Sequence, residues 1–203
     1  FPPALRPFYT AVANRDNAPC RIAIVGDSIS EGERCANYTQ RWVNRFEDML
    51  RGAFPTGGVR GGPGYFPTAY AATLIAAPSV VDLSANLGGT SVSTVDTRYG
   101  LGGRGRQIQH GAAHIWTYPC TSFKVHYAKD PFGVTLNIIV DGVQYGTVNT
   151  NGTAGGGYTY VSGALTPGVH AIRVATQDSA GFSSTVCGVE FFYGDESKGI
   201  RVY

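Results

Sequence analysis

Thr135–Val140 and Val143–Val148 are two β-branched, apolar runs separated only by Asp141-Gly142. Asp-Gly in that position selects a type I′ turn, whose two central residues both need positive φ. The pattern therefore commits this stretch to an antiparallel hairpin. The same pattern extends in both directions. Ser122–Tyr127 puts Phe123, Val125 and Tyr127 on one face. Tyr158–Val161, Val169–Ala175 and Val186–Tyr193 are further short runs, divided by Gly, Pro, Asn and Ser, with Thr166-Pro167-Gly168 as one turn. Many short strands at regular spacing predict an all-β sandwich over residues 79–195.

The first third has a different period. Residues 1–20 are rich in Pro and polar residues and read as a lead-in segment. Arg21–Gly26 is a short apolar run ending in Gly, the pattern of a buried parallel strand. Over Asn37–Leu50, Trp42, Val43, Phe46, Met49 and Leu50 fall on one helical face, with Asn37 or Thr39 as the cap and Gly52 and Pro55 as the stop. Strand, tight turn and helix open an α/β unit. Thr56–Pro67 is dense in Gly and Pro and is expected to be a loop. No Gly-Lys-Ser/Thr follows, so it is not a phosphate loop.

The junction between that strand and that helix holds Gly26-Asp27-Ser28. A serine hydroxyl is a poor nucleophile until a base takes its proton and N–H donors hold the oxyanion. Presentation on a sharp turn after a core strand meets the steric part of that requirement. Gly26 permits the turn, Asp27 braces it, and the Ser28 backbone N–H is a candidate oxyanion donor.

Ile22-Ala23-Ile24-Val25-Gly26-Asp27-Ser28-Ile29-Ser30-Glu31-Gly32 resembles the first block of the SGNH/GDSL serine hydrolases. The Trp42 helix and Gly61-Gly62-Pro63-Gly64-Tyr65 resemble members of the same superfamily. The resemblance covers about a third of the chain. It implies a flavodoxin-like α/β portion over 1–78, with Ser28 as nucleophile and Gly64 or Gly89 as further oxyanion donors. It also implies an Asn in Gly-x-Asn-Asp and a late Asp-x-x-His. The chain has no Gly-x-Asn-Asp, and none of His110, His114, His126 and His170 follows an Asp by three residues. Gly199–Tyr203 looks like the strand leading into the second block. The β-rich half would then be an insertion, similar to the carbohydrate-binding β-sandwich (jelly-roll) modules of some polysaccharide-modifying esterases. On this reading residues 196–203 begin a further α/β strand and sequence continues downstream. The base histidine is expected beyond residue 203 or on a second polypeptide.

Other residues have more ordinary readings. His126 and His170 fit a strand surface, and His110 and His114 lie in a strand-like setting that does not suit a helical metal pair. Asp141 is a turn residue, and the aspartates form no pair readable from spacing. Trp116, Tyr118 and Tyr145, with Tyr158 and Tyr160, are candidates for a sugar-stacking platform, against the commoner role of strand aromatics as core. Arg104 and Arg106 read as loop residues.

Composition narrows the class. Net charge is +2, with scattered Arg, which gives no basis for nucleic-acid binding. No apolar run reaches membrane-spanning length. No metal-ligand spacing occurs, and the expected chemistry needs no cofactor. Cys20, Cys35, Cys120 and Cys187 fit two disulfides in an oxidising compartment, with Cys120–Cys187 favoured; four buried thiols are the alternative. Without a signal-like start, the first residue reads as a processing boundary of a secreted or surface protein. The expected function is hydrolysis of carboxylic esters, including O-acetyl groups on carbohydrate, through an acyl-Ser28 intermediate. The alternatives are a non-catalytic carbohydrate- or cell-surface-binding module and a structural assembly protein.

Overall fold

The computed structural model describes residues 2–26, 35, 40–68, 80–82, 94–109, 112–177, 182–195 and 197–203. Two antiparallel sheets face each other. The first has the order β10 (Gly155–Val161), β7 (Ser122–Lys129), β12 (Ser183–Phe192), β5 (Gly105–Gln109) and β4 (Thr94–Asp96), with β2 (Gly64–Pro67) also paired to β12. The second has the order β3 (Val80–Asp82), β6 (Ala113–Cys120), β11 (Gly168–Thr176), β8 (Thr135–Val140) and β9 (Val143–Asn149). Alternation fills the space between them. Phe123, Val125 and Tyr127 of β7 meet Leu136, Ile138 and Val140 of β8 and Ile172 and Val174 of β11 in one cluster. Each fully buried aliphatic side chain there contributes about 1.5–3 kcal/mol.

The Asp141-Gly142 turn forms as the sequence predicts, with φ of 51° and 84°, and joins β8 to β9. The expected strands of the β-rich half all form. β5 and β6 add to them, so Arg106 lies in a strand and not in a loop.

Beside the sandwich, β1 (Cys20–Ile22) and β13 (Ile200–Val202) pair in parallel. In sequence the whole sandwich lies between them. α1 (Arg6–Ala13) and α2 (Trp42–Ala53) cover one face of the pair through Val12, Cys20, Ile200, Phe8, Ile22 and Leu50. A complete flavodoxin-like α/β layer is not seen among the described residues.

Four expectations need correction. The lead-in contains a helix, α1, whose Val12 packs against the strand pair. The Gly-rich segment is not all loop, because Gly64–Pro67 adds an antiparallel strand to β12 inside the sandwich sheet. α2 does not bury the predicted face. Trp42 and Met49 are exposed, and the buried line is Val43, Glu47 and Arg51, because the Glu47–Arg51 pair meets β13. Finally, the β1 strand is parallel but not buried throughout, since Val25 is 97% exposed.

Candidate active site

The β1–β13 ladder continues past the strand bounds. Cys20 N–H donates to the Gly199 carbonyl (2.8 Å), Tyr203 N–H to Ile22 (2.9 Å) and Ile24 N–H to Tyr203 (2.8 Å). Gly26 follows, exposed to solvent. Asp27, Ser28 and Gly89 lie outside the described residues. The chain thus reaches Asp27-Ser28 from the C-terminal end of a parallel strand, the end at which α/β sheets place their ligands.

The other edge of β13 is covered by side chains of α2. Arg51 Nε donates to the Ile200 carbonyl (2.9 Å), and the Val202 N–H donates to Glu47 Oε1 (3.1 Å). Glu47 and Arg51 also bridge each other at 2.5 Å, one helical turn apart. A helix therefore satisfies the edge groups that a neighbouring strand would otherwise pair.

A second carboxylate joins this layer to the sandwich. Glu190 of β12 accepts the Tyr203 hydroxyl at Oε1 (2.7 Å) and faces Arg201 Nη1 at 3.4 Å. His126 Nε2 of β7 lies 3.4 Å from the other oxygen. The Arg201 guanidinium sits 4.6 Å above the Phe192 ring. Tyr65 packs edge-on against His126 and donates its hydroxyl to the Cys187 carbonyl.

Burial pushes the Glu47 carboxyl up to about 7, against the pull of Arg51, and lowers Arg51. At Glu190 burial acts upward too, but the His126 and Tyr203 hydrogen bonds and the Arg201 charge hold it below the usual range. Gly64 packs into this cluster with φ of 82°; a Cβ there would lie 2.8 Å from Glu47 Oε1. Its observed role is close approach of β2 to α2.

The described histidines have other partners. His114 is fully buried, and burial lowers it to about 3. His170 bridges Asp141 Oδ2 through Nδ1 (2.7 Å) and the Thr166 carbonyl through Nε2 (2.8 Å). His110 is outside the described residues.

Of the candidate platform aromatics, Trp116 takes the commoner role of a strand aromatic in the core. Trp116 is 0% exposed, inside the core. Tyr118 stacks on Phe66 at 3.9 Å. Tyr118 is half-buried, and Tyr145 is the exposed one of the three, at 38%. The favoured disulfide is also absent, and all four cysteines are free thiols. Cys120 points into the core, while Cys187 sits at the β12 bulge against Gly100, outside that core. Among the described residues, no three His, Cys, Asp or Glu side chains converge as a metal site, and no helix is long and apolar enough to cross a membrane.

Sequence reasoning missed Glu47, Arg51, Glu190, Arg201 and Tyr203. The i, i+4 spacing of Glu47 and Arg51 was a readable signal. The meeting of residue 190 with residues 201 and 203 needs the three-dimensional fold.

The fold is a β-sandwich of two antiparallel sheets attached to a parallel strand pair and two helices. No protein-family model matches the chain, and no curated protein matches its sequence. Among solved structures, it is similar to a family two carbohydrate esterase from Cellvibrio japonicus (7% identity, 57% of this chain and 33% of that one, TM-score 0.39). It is similar to a carbohydrate-binding module, CBM36, in complex with calcium and xylotriose (16% identity, 56% and 98%, TM-score 0.35). It is also similar to the CBM36-1 domain of a multidomain xylanase from the hindgut metagenome of Trinervitermes trinervoides (15% identity, 58% and 98%, TM-score 0.40). The chain spans about a third of the length of that esterase.

Proposed function

We propose that this chain is the nucleophile-bearing and carbohydrate-recognising part of a secreted serine ester hydrolase of SGNH type. The observation that supports it best is the parallel β1–β13 pair, whose C-terminal end leads through Gly26 directly into Asp27-Ser28. In this reading the α/β part is assigned to residues 1–78 and 196–203, and the sandwich is set between its first two strands, with β2 lent to the sandwich sheet. Ser28 Oγ attacks the ester carbonyl carbon as a base takes its proton. Backbone N–H groups hold the oxyanion, and the alcohol leaves with the proton. Water then hydrolyses the acyl-Ser28 ester. The base is a histidine of a further polypeptide segment. With β13 closed by Glu47 and Arg51, such a segment would extend the sheet at the edge of β1 that no described strand pairs. The substrate is an acylated carbohydrate.

The test is release of acetate from acetylated xylan and of p-nitrophenol from its acetate. Ser28→Ala is expected to lower both rates by about 10³-fold or more. Equal rates in the variant would refute the assignment.

A second reading, a non-catalytic carbohydrate-binding sandwich, is favoured by the histidines. His114 is inside the core, His170 is held at both ring nitrogens, and His126 faces Glu190. Carbohydrate binding that is retained by a chain with no esterase activity would select it.

A further inference from the structure

A cleft of about 460 Å³ opens where the Gly-rich segment meets the β12–β13 connection. It lies at the Gly199 end of the parallel pair, where Cys20 is bonded. Ile24, at the other end, is four residues on, about 13 Å along the strand at ~3.3 Å per residue. The cleft is therefore distinct from the strand end that leads into Ser28. Its volume falls in the ~300–1,000 Å³ span of small-molecule sites.

The lining has a specific chemistry. Four cations border the cleft, and each has an acid beside it: Arg51 with Glu47, Arg60 with Asp48 (2.8 Å), Lys198 with Asp195 (3.3 Å) and Arg201 with Glu190 (3.4 Å). An anionic or cationic ligand would have to displace one partner of a pair, two of which are buried. What the cleft offers instead is donors and acceptors held in ion pairs, with Asp16, which lies 3.7 Å from Arg15 and accepts the Gly57 N–H, as a further acceptor; a guanidinium has five donors and a carboxylate about four acceptor sites. Exposed apolar surface from Phe54 and Val59 completes it.

Glycines shape part of the wall. Gly61 and Gly194 both have positive φ, and a Cβ on either would meet only a side chain 3.8–3.9 Å away. The wall is thus bare backbone where side chains would otherwise stand, with the Gly194 N–H itself held by Thr121 Oγ1 (2.9 Å). A rigid, charge-compensated surface of hydrogen-bonding groups next to apolar faces matches a ligand with hydroxyls at its edge and C–H groups on its faces.

We infer that this cleft is a non-catalytic binding site for a neutral pyranose ring, an anchor for the carbohydrate whose ester Ser28 would cleave. The inference rests on the carbohydrate part of the proposed function and not on the esterase part.

The test is an amide-shift titration of the whole chain with methyl β-xylopyranoside and methyl β-glucopyranoside, with sodium glucuronate and inorganic phosphate as charged comparators. Saturable shifts at Gly61, Gly62, Gly194 and Gly199 with a neutral glycoside, at millimolar Kd, are expected. Val59→Trp, which fills the cleft from a side chain that is already 40% exposed, should weaken binding about tenfold or more. Phe132→Trp, on a surface turn outside the lining, should not. No saturable shift with either glycoside, shifts confined to other residues, or binding of only the charged comparators would overturn the site. If Val59→Trp does not fold, the wild-type shift map decides. Loss of ester hydrolysis in Ser28→Ala with these shifts intact would leave this site standing, so the two proposals fail separately.

Discussion

The Tyr203 hydroxyl donates to Glu190 Oε1 at 2.7 Å, and this bond ties the parallel strand pair to the sandwich. Tyr203 also takes part in the β1 ladder through both backbone groups. The position of the strand that leads into Ser28 therefore depends on a carboxylate of β12. The sandwich braces the strand pair.

Removing either partner should be felt in proportion to what is left unpaired. Tyr203→Phe deletes one hydrogen bond to a charged acceptor, and a loss of about 1.5–3 kcal/mol is expected in urea unfolding. Glu190→Ala strands the buried Arg201, and about 3–5 kcal/mol is expected. Equal, negligible costs for both would show that the contact does not hold the two parts together.

Glu47 gives the cluster a pH dependence. Its carboxyl is raised from the ordinary 4.5 to about 7 by burial. Between those values the folded state holds a proton that the unfolded state has released, so this group's contribution to stability falls as pH rises. Glu47→Gln should remove that slope. The wild type is expected to lose ground to the variant in Tm between pH 5 and pH 7.5; a gain over that window would contradict the assignment.

The Asp141–His170 pair combines two opposite slopes. Both His170 ring nitrogens face acceptors, so the imidazolium is the form that satisfies the site. The Thr166 carbonyl and Asp141 raise its pKa above 6.5, and the His170 and Ala171 hydrogen bonds lower that of Asp141 below 3.8. The stabilisation from His170 is complete below 6.5 and is lost as pH climbs through the raised value. That from Asp141 is present above 3.8 and lost as pH falls. The Tm difference between wild type and His170→Gln should be largest between about pH 4 and 6.5 and shrink on either side. A difference that is constant with pH would refute the pairing.

The thiols can be counted directly. Burial pushes Cys120 up to about 11 and Cys187 up to about 12. Neither should react with Ellman's reagent in the native protein at pH 8, and both should react on denaturation. Reduction should leave the intact mass unchanged. A Cys120–Cys187 bridge would instead add two hydrogens on reduction.

How far the sequence could be read depended on the range of the interaction. The hairpin at Asp141-Gly142 is local, and its two positive-φ positions follow from residue type. The β7 face of Phe123, Val125 and Tyr127 follows from period two and a single buried side. The strand at Gly199–Tyr203 was legible from its composition, whereas its pairing with Cys20–Ile22, near the other end of the chain, needs the fold. α2 was misread because burial was assigned by hydrophobicity, whereas the Glu47–Arg51 pair is buried where it meets the open edge of β13. Trp116 was left with two readings because an aromatic in a strand looks the same whether it faces sugar or core; only the second sheet decides for the core. The short strand Gly64–Pro67 was hidden by its glycines and prolines, since its β12 partner lies more than a hundred residues away.

The central claim is that the β1–β13 pair presents Ser28 as a nucleophile. Treating the protein with a fluorophosphonate and mapping the adduct by peptide mass spectrometry tests this most directly. One adduct on the peptide containing Ser28, lost in Ser28→Ala, is the predicted result. An adduct at another residue, or labelling that persists in Ser28→Ala, would contradict it.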